Sequence, residues 1–315
     1  MSAEHPRDLP LSVLNRLANH CKVTGDDPHA TQTRFILERF LYRLSRTPHR
    51  DSLVLKGAML FVIWQDHPYR ATRDLDLLGR TALSPERLTA MVGAICSAPA
   101  EPDGVVFNAK SIVVSPIRHD RGFEGQHVDL QAALGAARYK VRIDIAFGDA
   151  VVPPPMFTEF PVLLDFPAPL ILVYPPETSI AEKLEAMLDR GMQNSRMKDL
   201  YDVYTLSRMF EFEGSTLVEA LNATRRQRAD SFPEHLPAAL RQEFARDPAK
   251  LTQWGAFVVK ARVVPLELGE VVAALRRFLA EPYLAAARGA VFTEHWPAGG
   301  PWTSTASAGG DTDLS

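Results

Sequence analysis

The chain has little sulfur chemistry to offer. Of its 315 residues only Cys21 and Cys96 are cysteines, and they form no Cys-x-x-Cys pair, so the sequence contains neither a disulfide framework nor a thiolate metal cage. The nine histidines show no metal-ligand spacing. Excess positive charge is also missing, since the net charge is −3, with 35 basic against 38 acidic residues. That excludes a protein coated in cations but leaves room for a local basic groove, because an electrostatic footprint is a patch. No run approaches the ~20 apolar residues of a membrane span. The opening Met-Ser-Ala-Glu-His-Pro-Arg lacks an apolar signal core, so a cytoplasmic protein with no membrane partner is expected. Internal repeats are absent. What is present is an ordinary globular composition, 46% apolar and 23% charged, long enough for one large domain or two modest ones.

The most informative stretch runs from Leu53 to Gly79. Leu53–Leu55 is a short apolar run closed by Lys56-Gly57, as a buried strand ending in a turn would be. Ala58–Trp64 is uninterrupted apolar sequence, suited to a buried helix starting after that glycine. Arg70-Ala-Thr-Arg73-Asp74-Leu-Asp76-Leu-Leu-Gly79 follows. On a strand, Asp74 and Asp76 share one face roughly 6–7 Å apart, with Leu75 and Leu77 on the other. Two carboxylates this close repel unless a cation sits between them, and hard divalent ions prefer oxygen ligands. Taken alone, Asp-Leu-Asp also fits an ordinary solvated turn or strand edge.

Upstream, residues 12–22 and 31–45 read as helices, the second with Arg34, Glu38, Arg39 and Arg43 interleaved among apolar positions. Ser84-Pro85 begins another helix. Ser111–Ile117, Gln126–Leu134 and Tyr139–Phe147 have strand texture, separated by glycine-containing turns. Along the last of these, alternation puts Arg142 and Asp144 together, opposite Val141, Ile143 and Ile145. A carboxylate in so apolar a strand needs a partner. A metal shared with Asp74 and Asp76 would supply one, and so would an Arg–Asp pair on an exposed face.

The proline-rich segment Val151–Pro176 holds a domain boundary. Beyond it, Glu177–Arg190 is expected to be a helix opened by the capping box Ser179-Ile-Ala-Glu182 and stopped at Gly191. Lys198–Phe210 is a second helix, with Asp199 and Asp202 on one side. Periodicity alone leaves Lys183, beside its helix's apolar stripe, and Asp199 as solvated surface residues. Thr216–Asp230, Pro233–Arg246 and Leu266–Arg288 complete a helical half. Arginines cluster at Arg225, Arg226 and Arg228, and at Arg276 and Arg277.

Strand, glycine turn, helix and a strand carrying Asp-x-Asp resemble the nucleotidyltransferase superfamily that includes DNA polymerase beta. More narrowly, this pattern is similar to the AbiEii/AbiGii toxin family of type IV toxin–antitoxin systems. Arg138–Asp149 and Glu177–Tyr204 extend the likeness to roughly residues 30–210. Where that family has Gly-Gly or Gly-Ser, this chain has Gly57-Ala58, so a hydroxyl is lost and backbone N–H groups remain.

The resemblance implies an α/β fold: a polymerase beta-like nucleotidyltransferase core with a small mixed sheet, plus a helical C-terminal region. The expected domains are 1–160, the nucleotidyltransferase domain with its N-terminal helices, and 161–294, a mainly helical domain completing the active site. Residues 295–315 are expected to be a disordered tail. By the same resemblance, Asp74, Asp76, Asp144, Lys183 and Asp199 are catalytic. Asp74, Asp76 and Asp144 hold Mg²⁺, with Mn²⁺ as an alternative. Lys56, Gly57, Ala58, Arg73 and Arg196 bind the nucleotide. The implied partners are an NTP, an RNA, with the 3′ end of tRNA as the expected acceptor, and a cognate antitoxin. Transfer to a small-molecule or protein hydroxyl, and a degenerate domain that binds nucleotide or RNA without turnover, are the alternatives.

Overall fold

The structure, a computed structural model, describes residues 8–65, 72, 74–117, 125–228 and 231–304. The chain divides into two compact units. One comprises 1–149 and 154–174, the other 150–153 and 175–315.

The first unit opens with helices α1 (Leu9–Thr24) and α2 (Pro28–Ser45). Each is capped by an aspartate, Asp8 or Asp27, with proline in the first turn. Its strands are β1 (Leu53–Lys56), β2 (Asp74–Gly79), β3 (Val105–Pro116), β4 (Gly125–Leu134), β5 (Ala137–Phe147), β6 (Met156–Glu159) and β7 (Leu170–Val173). Helix α3 (Leu60–Trp64) follows a single 3-10 turn after β1, and α4 (Pro85–Cys96) lies between β2 and β3. The strands form one mixed sheet in the order β3-β4-β5-β2-β1-β7-β6. Here β2 runs parallel to β5 and β7 parallel to β1, while the remaining pairs are antiparallel.

Alternation decides which face of the sheet is covered. Leu75, Leu77, Val141, Ile143 and Ile145 are buried, and the polar residues between them are not. Because β7 pairs with β1, Leu170–Val173, within the span expected to form the helical half, belongs to this sheet.

Helix α2 differs from a simple amphipathic reading, because its charges are inside. Arg43 grips Asp103 through both guanidinium arms, at 2.7 and 3.1 Å. Arg39, 1% exposed, donates to Glu38 and to the carbonyl of Pro167. Charges buried this deeply are tolerated only when paired and hydrogen-bonded.

The second unit is helical: α5 (Pro176–Arg190), α6 (Met197–Met209), α7 (Gly214–Arg226), α8 (Gln242–Arg246), α9 (Pro248–Ala261) and α10 (Leu268–Arg288). Three expectations are corrected here. The capping box at Ser179 does not operate, because α5 starts three residues earlier on Pro176 and buries Ser179 inside the helix. The helix expected over 233–246 shrinks to a 3-10 turn at Ala238–Leu240 followed by α8, since Pro237 cannot continue a helix from upstream. The segment 295–304 is ordered. There β9 (His295–Trp296) pairs with β8 (Phe212–Glu213), and the Trp296 and Trp302 rings pack on Phe278 at 4.8 and 5.9 Å. Residues 305–315 of the expected tail lie outside the described residues.

Candidate active site

Strand pairing brings chemistry to one row of the first unit's sheet. Asp76 on β2 lies between Lys56 on β1 and Asp144 on β5, in register with both. In-register neighbours share a face, and adjacent strands lie about 4.8 Å apart, so Asp76 and Asp144 stand side by side.

Gly57, directly after β1, has φ +73°, and a Cβ placed there would come within 2.1 Å of Asp76 Oδ2. Only glycine satisfies both the left-handed backbone and the carboxylate pressed against it. Ala58 follows in the same turn and is buried, which leaves the backbone rather than a hydroxyl at this point.

Asp74 begins β2, is exposed, and has Arg142 as its in-register neighbour. Arg142 does not pair with Asp144, the partner its own strand offered. It reaches across to Asp129 on β4 with two bonds of 3.0 Å, and this contact holds the Asp129 carboxyl below its ordinary range. Asp144 is held instead by His127, whose Nδ1 lies 2.6 Å from Oδ1. Lys56 turns to Asp149, with Nζ 2.7 Å from Oδ2, and its ammonium sits 5.2 Å from the centre of the Tyr174 ring. Arg73 lies outside the described residues.

Among the described residues no three His, Cys, Asp or Glu side chains are grouped so as to hold a metal. Asp74, Asp76 and Asp144, expected to share one cation, are thus not gathered as a trio: Asp76 and Asp144 are in-register neighbours, and Asp74 lies two residues along β2 opposite Arg142. As a donor set, two adjacent carboxylates beside a glycine turn suit a hard cation.

A second cluster forms within the helical unit. Lys183 on α5 donates to Asp202 at 2.6 Å and lies 3.7 Å from Asp199, both on α6. Arg196 also binds Asp199. Its backbone N–H donates to the Asn194 side chain at 3.0 Å, which fixes the loop entering α6. Asp202 is fully buried, and burial pushes its carboxyl well above the ordinary value. Burial would raise Asp199 too, but the charges of Lys183 and Arg196 outweigh it and hold that carboxyl down. Lys183 is thus no solvated surface residue. Its side chain is 16% exposed and lies within reach of two buried acids.

The profile of the family described as "Nucleotidyl transferase AbiEii toxin, Type IV TA system" matches residues 39–279, well over half of the chain and every residue of both clusters. The chain belongs to the AbiEii toxin family. It is a nucleotidyltransferase, and AbiEii membership implies an NTP substrate and an antitoxin partner.

Among solved structures, JHP933 from Helicobacter pylori is 16% identical, with 81% of this chain and 95% of that one covered and a TM-score of 0.49. A candidate nucleotidyltransferase from H. pylori is 17% identical, with 84% and 95% covered and a TM-score of 0.45. An antigenic nucleotidyltransferase-like protein from Paracoccidioides brasiliensis is 13% identical, with 85% and 93% covered and a TM-score of 0.31. A comparison with curated proteins yields no match.

Two polar partners of the AbiEii residues, His127 and Asp149, escape a reading of sequence motifs. His127 was within reach of a register argument, because a two-residue turn between β4 and β5 dictates which residue faces Asp144.

Proposed function

We propose that the protein transfers a nucleoside monophosphate from an NTP to a hydroxyl of RNA, the 3′ end of tRNA. Such a modification would block aminoacylation and so stop translation, which fits a toxin restrained by a cognate antitoxin. The observation that carries the reading is the in-register pair Asp76–Asp144 beside Gly57, within a chain of the AbiEii family.

Asp76 and Asp144, with Asp74 nearby, would hold a divalent cation, Mg²⁺ or Mn²⁺, which supplies neutralisation of phosphate charge at the reacting centre. The backbone at Gly57-Ala58 lets the triphosphate approach closely. Asp144 takes the proton of the attacking hydroxyl. That oxygen bonds to the α-phosphorus, the bond from the α-phosphorus to the bridging oxygen breaks, and pyrophosphate leaves. Lys183 neutralises phosphate charge, and Asp199 holds Lys183 and Arg196 in place. Lys56, tied to Asp149, lies on the same row of the sheet and assists nucleotide binding.

Of the arginine clusters, Arg225 is engaged inside the helical unit by Glu185 at 2.6 Å and by the carbonyl of Ser231. Arg226, Arg276 and Arg277 are exposed, which leaves them available to an RNA backbone. The test is to incubate the protein with each α-labelled NTP, Mg²⁺ and either total RNA or a panel of small hydroxyl compounds. Label entering tRNA supports the reading. Label entering only a small compound assigns a different acceptor.

A further inference from the structure

We propose that His127 is a positioning residue for Asp144: its Nδ1–H fixes one carboxylate oxygen, so that the other is presented to the reacting groups. The inference rests on the nucleotidyl-transfer reading above and adds a residue that reading does not use.

The register puts His127 on β4 opposite Asp144, in the row that also holds Asp76 and Lys56. The Nδ1···Oδ1 distance is 2.6 Å, short for an N–H···O bond and in keeping with charge assistance. An ionised carboxylate only accepts, so Nδ1 carries the hydrogen. Both side chains are about one-third exposed, 32% and 28%, so the pair lies on the open face of the sheet rather than in its core.

The other charged residue nearby on β5, Arg142, is already engaged by Asp129, which leaves His127 as the hydrogen-bonding partner shown for Asp144. The terminal torsion of an aspartate is broad and roughly two-fold. A carboxylate standing beside Asp76 would turn or withdraw unless one oxygen were tethered. Outer partners that orient a ligating or proton-accepting group in this way are commonly worth 10–100-fold in affinity or activity.

The test uses the full-length protein with His127→Leu, which removes the donor, and His127→Asn, whose amide N–H can occupy the Nδ1 position. Steady-state transfer gives kcat and KM for the NTP, calorimetry gives affinity for Mn²⁺ alone, and thermal melting reports the fold. We expect His127→Leu to lower kcat and to weaken Mn²⁺ binding, each by about 10–100-fold, while KM for the NTP and the melting temperature stay near wild type. His127→Asn should recover most of both losses. Equal Mn²⁺ affinities in wild type and His127→Leu, or Mn²⁺ binding in neither, overturn the inference. So does a His127→Asn variant as impaired as His127→Leu. A wild type that transfers no nucleotide defeats the functional reading alone, and the ratio of Mn²⁺ affinities still decides the role of His127.

Discussion

Lys183 carries two kinds of interaction, and they can be separated by mutation. Its ammonium is hydrogen-bonded to Asp202, which is wholly buried, and sits near the ionised Asp199, so truncation removes the polar partner of two acids that cannot reach water. Breaking one side of a buried pair costs on the order of 3 kcal/mol, mostly as the penalty on the charge left behind. We therefore expect Lys183→Met to lose both transfer activity and stability. In Lys183→Met/Asp202→Asn, urea melts should return towards wild type while activity stays low, because the phosphate would still lack its cation. Recovery of activity in the double variant would make Lys183 purely structural. From periodicity this lysine read as an exposed position. What reversed that is the facing helix α6, whose Asp199 and Asp202 both turn inward, and one helix's periodicity does not report its neighbour's charges.

At the scale of elements, the β4–β5 hairpin shows both what the sequence discloses and what it hides. The strand texture of both arms and the shared face of Arg142 and Asp144 are visible from alternation. The turn residue Gly135 has φ +61°, as the first position of a type II′ hairpin requires, and it sets Leu134 opposite Ala137. Counting seven residues outward from each pairs His127 with Asp144 and, two steps nearer the turn, Asp129 with Arg142. The cross-strand partners were therefore within reach of a register argument, whereas alternation along β5 alone offered a shared metal or Arg142 as the partner of Asp144. The parallel contact of β7 with β1 was not legible, because a long crossover leaves no local signal, and β2 and β5 were brought together only by the shared-metal reading of Asp74, Asp76 and Asp144.

Helix α2 is the other case where neighbours decide. Burial raises the Glu38 carboxyl from 4.5 to about 7, against the opposing pull of Arg39, the Leu163 N–H and Arg34. With the folded value above the unfolded one, the folded protein holds the proton more tightly. This contribution to stability is complete below about pH 4.5 and is lost as pH rises towards 7. It amounts to at most about 3 kcal/mol. Denaturation midpoints should fall between about pH 5 and about pH 8, and Glu38→Gln, permanently neutral, should flatten that fall. Identical pH slopes for the two proteins would refute the assignment.

On the scale of the whole molecule, each unit carries its own cluster of candidate site residues and a distinct kind of chemistry. The sheet unit presents the paired carboxylates Asp76 and Asp144 beside Gly57, and the helical unit presents Lys183 with Asp199, Asp202 and Arg196. The family profile spans both. No helix among the described residues is long and apolar enough to cross a membrane. The account's central claim is that the Asp76–Asp144 pair carries nucleotidyl transfer. Its most direct test compares wild type, Asp76→Asn and Asp144→Asn for incorporation of α-label and γ-label from each NTP into RNA in the presence of Mg²⁺. We expect wild type to incorporate the α-label but not the γ-label, and both variants to lose incorporation by at least about 100-fold while melting at the wild-type temperature. Incorporation undiminished in either variant would contradict the claim.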